Sequence, residues 1–238
     1  MHLDAGDFCE FYARPLGGVV RRLLSHRIRA RWRRVDGLTI MGLGFATPYL
    51  GMFRGEATRH AALMPAAQGA LIWPPGRQTL SVLVDNDRLP LPDNSVDRIL
   101  VVHGLEFADH ISTYLRELWR VLAPEGRLLI IVPNRGGLWA RTDRSPFGHG
   151  RPYSRSQIER LLTEAMFTPE DFSWALHMLP LESRILLRSS VAFERMGQRF
   201  WPSVGGVLLV EAKKELVAPV GKLKAARAVG GLVTVRGL

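Results

Sequence analysis

A chain of 238 residues, 47% hydrophobic and 23% charged, has the balance of a globular domain large enough to bury a substantial core, which excludes a disordered chain, a collagen-like fibre and a disulfide scaffold. Apolar runs such as Leu128–Val132 fall far short of the roughly 20 residues of a membrane-spanning helix. The acids Asp4, Asp7 and Glu10 break the order of a signal peptide, so with a single cysteine, Cys9, the expectation is a cytoplasmic, reducing setting without a transmembrane segment. Thirty-two Lys and Arg against 22 Asp and Glu give a charge of +10, which favours an anionic partner: nucleic acid, an acidic protein, a membrane surface or a phosphorylated small molecule.

Residues 1–36 read as a basic helical segment capping the domain that follows. Eight arginines and no acid lie between Arg14 and Arg34, where Leu16, Val19, Val20, Leu23, Leu24 and Ile28 recur at three- and four-residue intervals. That is an amphipathic helix with an arginine-rich back. It either docks by its apolar stripe, leaving the arginines in water, or lies on an anionic membrane or on RNA.

Residues 37–215 read as one α/β domain. Leu38–Met41 is a short strand that stops at Gly42-Leu-Gly44. Residues 49–59 read as helical, Ala61–Met64 is a second apolar run closed by Pro65, and Leu80–Val84 and Arg98–Val102 are further strands. From His110 to Leu122 the apolar residues Ile111, Tyr114, Leu115, Leu118, Trp119 and Leu122 mark one helix face, ended by Pro124-Glu-Gly126. Arg127–Val132 shows no alternation, as in a parallel sheet buried on both faces. Residues 133–153 make a long loop of the kind that is usually functional or mobile. Ser154 caps a helix to Met166, and Gly205–Val210 is a last strand. Residues 216–238 thin to a basic, flexible tail. Strands alternating with helices give a mostly parallel sheet flanked by helices, with any ligand at one sheet edge.

Four stretches, in this order, carry a resemblance: Ile40-Met-Gly-Leu-Gly-Phe-Ala-Thr47; Asp85-Asn-Asp-Arg-Leu-Pro-Leu-Pro-Asp-Asn-Ser-Val-Asp97; Val101-Val-His-Gly-Leu-Glu-Phe107; and Tyr114-Leu-Arg-Glu-Leu-Trp-Arg-Val-Leu-Ala-Pro-Glu-Gly-Arg-Leu-Leu-Ile130. Residues 38–135 resemble a class I S-adenosylmethionine-dependent methyltransferase, of the small Rossmann-like, methyltransferase type 11 group. The resemblance implies that Gly42 and Gly44 let the backbone approach the methionine part of S-adenosylmethionine, that Asp85 accepts from the adenine amino group and the Asn86 amide reaches the ring, and that His103 lines the methionine end. The Pro-Glu-Gly turn is structural. An amino-terminal helix often covers the pocket in such enzymes, which would bring Tyr12 over the cofactor; the plain alternative is an aromatic that packs.

The family usually ends its second strand with an acid that binds both ribose hydroxyls. Met64 stands there, and no acid lies between Glu56 and Asp85. Losing that charged pair of hydrogen bonds costs about 2–3 kcal/mol, a roughly 30- to 150-fold loss of affinity. Weak cofactor binding, a compensating group from elsewhere, and a lost activity all remain open. Trp73-Pro-Pro-Gly76 leaves only a short helix after this strand.

His103, Glu106 and His110 invite a metal reading, but their spacing fits no metal-site pattern and pocket lining or helix capping is the simpler role. Cys9 has no nearby histidine, which argues against a thiol enzyme. Arg135, Arg141, Arg144, Arg151, His149 and Trp139 in the long loop suit an anionic or stacked acceptor, or are simply solvated; His149 is the weak candidate for a base. Between residues 171 and 204, Trp174, Phe193, Phe200 and Trp201 look like an insertion before the final strand hairpin and read more readily as core than as a binding surface. The expectation is methyl transfer to an unknown acceptor, with an inactive methyltransferase-like protein that binds a partner protein or nucleic acid as the alternative.

Overall fold

The computed structural model describes residues 3–215, and seven strands form one sheet in the order β3-β2-β1-β4-β5-β7-β6. β1 (Thr39–Gly44), β2 (Arg59–Pro65), β3 (Ser81–Val84), β4 (Val96–Val102) and β5 (Leu122–Pro133) run parallel, while β7 (Val207–Lys214) pairs antiparallel with both β5 and β6 (Phe167–Ala175). The direction of winding reverses between β1 and β4, which opens a crevice at their C-terminal ends. The tail expected over 216–238 lies outside the described residues.

Both faces of the sheet are covered, which is why β5 shows no alternation. Leu100, Val102, Leu129 and Ile131 face a core layer built with α1 (Ala5–Ala13), α2 (Pro15–Arg31) and α3 (Thr47–Leu50). Ile99, Val101, Leu128 and Ile130 face a second layer under α4 (Ile111–Val121) and α5 (Arg155–Glu164). Ser154 caps α5 as expected, in a reciprocal pair with Gln157.

The apolar stripe of α2 is wholly buried, so this helix docks on the sheet and has no apolar face left for a membrane. Three of its five arginines are tied down as well: Arg27 to Glu194, Arg29 to Glu56 and Arg31 to Asp171. The early acids have a structural role that the sequence reading did not give them. Asp4 accepts from the Asp7 amide and Asp7 from the Asp4 amide, a reciprocal cap that starts α1.

Four expectations need correction. Only Thr47–Leu50 and a single 3-10 turn form in the 49–59 region, because Gly51 and Gly55 (φ +89°) break the helix. No helix follows β2, since residues 66–80 run in turns. Phe167–Ala175 is a strand; Pro169 and its exposed acids sit on the sheet edge, where a missing amide is tolerated. Residues 176–206 then carry two short helices, α6 (Arg184–Arg188) and α7 (Ser190–Phe200), and Phe200 and Trp201 are exposed rather than core. The 133–153 loop is anchored by two short 3-10 turns that bury Trp139 and Phe147.

Candidate active site at the C-terminal edge of the sheet

The two glycines of the β1 loop hold the chain against itself. A Cβ on Gly42 would stand 2.7 Å from both Ala46 Cβ and a Leu50 methyl carbon, so glycine lets α3 close onto β1. Gly44 has φ +81°, and a Cβ there would stand 2.3 Å from the Val102 carbonyl oxygen. The Phe45 amide donates to that same carbonyl at 2.7 Å, which fixes the ends of β1 and β4 side by side.

At the end of β4, His103 is fully buried in the left-handed region (φ +52°). Its ring lies 4.8 Å from Phe8 of α1 and 4.6 Å from Phe147 of the long loop. Nε2 is 2.9 Å from the Tyr12 hydroxyl, which is itself 2.9 Å from the Tyr49 hydroxyl. Nδ1 faces Glu106 Oε1 at 3.3 Å. With the proton on Nδ1 toward Glu106, Nε2 is the acceptor for Tyr12. Both Glu106 oxygens and the Tyr114 hydroxyl are buried without a hydrogen bond among the described residues. Unpaired polar groups of this kind are costly in an interior and recur where a protein meets a ligand or moves a proton. Burial pushes the Tyr12, Tyr49 and Tyr114 phenols well above their ordinary range, and the neighbouring Glu106 adds to the rise at Tyr12 and Tyr114. Tyr153 is pushed up to about 12 by the same two causes.

Along the sheet edge, Met64 is buried and its sulfur accepts the Leu71 amide at 3.3 Å. Asp85 projects into solvent and accepts only the Asp87 amide, at 2.9 Å; the side-chain oxygen of Asn86 is buried and unpaired among the described residues. Two residues that sequence reasoning passed over position this segment. Glu117 accepts the Leu89 amide at 2.7 Å, and Arg120 donates to the Leu89 and Leu91 carbonyls and to Glu117, so α4 grips the Leu-Pro-Leu-Pro stretch after Asp85. Their signal was only an acid and a base three residues apart, which any exposed helix can show.

The structure brings Gly42, Gly44, Tyr12 and His103 together, with Met64 in the same core layer. Asp85 and Asn86 stand apart at the end of β3. His110 turns outward to Asp87, 3.1 Å away, and does not join His103 and Glu106. No group of three or more His, Cys, Asp or Glu among the described residues is placed to hold a metal ion. His149 is half-buried, and no hydrogen bond or ion pair among the described residues joins its side chain to the cluster; its neighbour Arg151 donates its amide to the Glu106 carbonyl at 2.9 Å.

Residues 61–130, which span β2 to β5, match the model of the methyltransferase domain family. That match and the shared fold make the chain similar, over this domain, to the class I S-adenosylmethionine-dependent methyltransferases. Among curated proteins the chain is similar to the ubiquinone/menaquinone biosynthesis C-methyltransferase UbiE of Paraburkholderia phymatum, 42% identical over 53 residues, and to that of Ectopseudomonas mendocina, 39% identical over 56. Those alignments cover 22% and 24% of this chain and only 22% of each relative's length. Among solved structures it is similar to a methyltransferase of Haloferax volcanii crystallised with the Trm112 methyltransferase activator (17% identity, TM-score 0.62, covering 90% of this chain and all of that one). It is also similar to a Thermotoga maritima S-adenosylmethionine-dependent methyltransferase (15%, 0.58, 88% and 95%) and to the [4+2]-cyclase SpnF (21%, 0.55, 83% and 81%). At these identities the structures establish the fold.

The residues present fit the family's cofactor at one end only. Exposed Asp85 keeps a carboxylate oxygen that makes no hydrogen bond among the described residues, at the position the resemblance assigns to adenine. The Met64 thioether is already engaged with the chain, and Phe8 covers the β1 loop with its ring 5.0 Å from Phe45. Gln68 latches this cover, donating to the His103 carbonyl at 2.8 Å and accepting the Ala5 amide at 2.7 Å. In this arrangement α1 lies over the β1 loop and the end of β4.

Proposed function

We propose that the protein transfers a methyl group from S-adenosylmethionine to an acceptor, and that α1 is a cover displaced when the cofactor enters. The family match over 61–130 carries this reading. In it, Asp85 and Asn86 hold the adenine, the backbone at Gly42, Gly44 and His103 borders the methionine, Met64 sits under the ribose without bonding it, and Tyr12, carried away with α1 on entry, closes back over the bound cofactor. The +10 charge and the exposed Arg135, Arg141, Arg144 and Arg151 favour an acceptor that carries negative charge. His149 stands beside this loop as a possible base only for an acceptor that arrives protonated.

Calorimetric titration with S-adenosylmethionine and S-adenosylhomocysteine tests the proposal. Saturable binding weakened roughly tenfold or more by Asp85→Ala is the expected result, since a hydrogen bond to a charged group is worth about 1.5–3 kcal/mol. Asp85 is exposed, so the variant keeps the fold. Displacing α1 opposes binding, so Phe8→Ala should bind the cofactor more tightly than the parent while losing about 3–5 kcal/mol of stability as a truncated core aromatic. Tighter binding at a lower melting temperature, read in one thermal-shift series, is the signature; a lower melting temperature with unchanged affinity refutes the cover.

A second reading rests on Met64 and the covered β1 loop: a scaffold that kept the fold and gave up the cofactor. It predicts no binding of either ligand at millimolar concentration, by the parent or by Phe8→Ala. SpnF, named as a cyclase on a similar fold, illustrates that architecture alone does not fix chemistry.

A further inference from the structure

We propose that α6 and α7 form a docking surface for an anionic lipid bilayer, on the side of the molecule where β5 ends. The segment from Arg184 to Val204 exposes Ile185, Val191, Met196, Phe200, Trp201 and Val204, with Ile185 76%, Phe200 62% and Trp201 60% accessible. Single exposed apolar residues need no explanation, but six within 20 residues of one segment do. The outward face of α7 carries Val191, Ala192, Met196 and Phe200 interleaved with Arg195 and Arg199. Arg184 and Arg188 bracket the exposed Ile185 on α6 in the same way.

Charge decides the occupant. The only acid between Arg184 and Val204 is Glu194, and it is turned inward, where it accepts the His177 amide at 3.0 Å and pairs with Arg27. The outward face therefore presents apolar and aromatic side chains with cations and no anion. A globular partner of ordinary surface composition would need matching acids, whereas an anionic bilayer satisfies both halves at once. The rings sink to the level of the headgroups, and the long arginine side chains reach the phosphates above them. The surface lies near the candidate site. Asn134, just past the end of β5, donates to the Ser203 and Gly205 carbonyls at 2.9 and 2.7 Å, which ties the end of this segment to the site edge of the sheet. If the methyl-transfer reading holds, on which this clause alone rests, an acceptor dissolved in the bilayer reaches the site without crossing water.

The test is co-sedimentation of the full chain with vesicles of phosphatidylcholine alone and with about a third phosphatidylglycerol, at low and high salt. Binding to the anionic vesicles is expected, weakened by salt. Arg195→Glu with Arg199→Glu should lower partitioning by at least about tenfold, and Phe200→Ser with Trp201→Ser by a similar factor, with circular dichroism unchanged because all four side chains are exposed. Arg33→Glu with Arg34→Glu, which changes the net charge equally but lies just beyond the end of α2, should leave partitioning within about twofold. No pelleting, or equal losses in all three double variants, overturns the proposal. So does a concentration-dependent dimer, seen by light scattering without lipid and abolished by the Phe200/Trp201 pair, which would make the patch an interface between two copies. None of these readouts needs cofactor, so failure here is distinct from failure of the methyl-transfer reading.

Discussion

Raising the pH from about 10 to about 11 should remove roughly 3 kcal/mol of folding stability, about 1 kcal/mol for each of Tyr12, Tyr49 and Tyr114. All three phenols are buried with their proton affinity raised, while in the unfolded chain they titrate near 10. Above that value the unfolded state sheds protons that the folded state keeps, so the balance moves toward unfolding; below it the contribution is intact. The signal is clean because all four tyrosines of the chain are buried. Absorbance of tyrosinate should therefore rise together with the loss of far-ultraviolet circular dichroism, in one transition. A phenolate band growing while the helical signal persists would show that solvent reaches the Tyr12–His103–Glu106 cluster in the native state, and the closed arrangement described above would be wrong.

Gly44→Ala should cost more than about 4 kcal/mol, in the range reserved for backbone conflicts. Two penalties coincide. A positive φ disfavours any residue with a Cβ by about 1 kcal/mol, and the new methyl would stand 2.3 Å from a carbonyl oxygen and 2.9 Å from the Gly104 nitrogen, both of them backbone. Neither neighbour can rotate away, so β1 and β4 must separate. Urea denaturation read against the parent measures it. A loss below about 1 kcal/mol would mean that the two strand ends are looser than the 2.7 Å bond from Phe45 implies. The same variant bears on family glycines in general: here the requirement at Gly44 comes from the protein's own chain, before any ligand is considered.

Much of the architecture was legible because strong local signals agreed with their surroundings. The unbroken apolar run of β5 and the one-sided face of α4 follow from a sheet covered on both sides, whereas the Pro-Glu-Gly stretch expected between them falls inside β5, which starts at Leu122, with Glu125 in the left-handed region. β6 was illegible since its edge position lets Pro169, Glu170 and Asp171 face water, and only Phe167 and Ala175 at its two ends are buried. The site divided along the same line. Asp85, Asn86, Gly42 and Gly44 could be found from a pattern running along the chain. Glu106 entered only through its spacing to two histidines; the structure keeps one of them, His103, 3.3 Å away across a left-handed turn and sends the other, His110, outward. The packing of Phe8 against Phe45 and His103 was invisible for a different reason, since a nine-residue helix declares which residues it buries but not what it buries them against.

The seat of α1 is made of residues far along the chain: Tyr12 meets His103 across 91 positions, and Phe11 meets Phe147. During synthesis this helix leaves the ribosome soon followed by α2, Phe45 and Tyr49, but well ahead of His103 and Phe147, which complete its seat. Until then Phe8, Phe11 and Tyr12 are only partly sheltered, and the docking of α1 is completed late. A tag or fusion placed ahead of Leu3 would act on that final docking step, leaving the sheet to assemble as before.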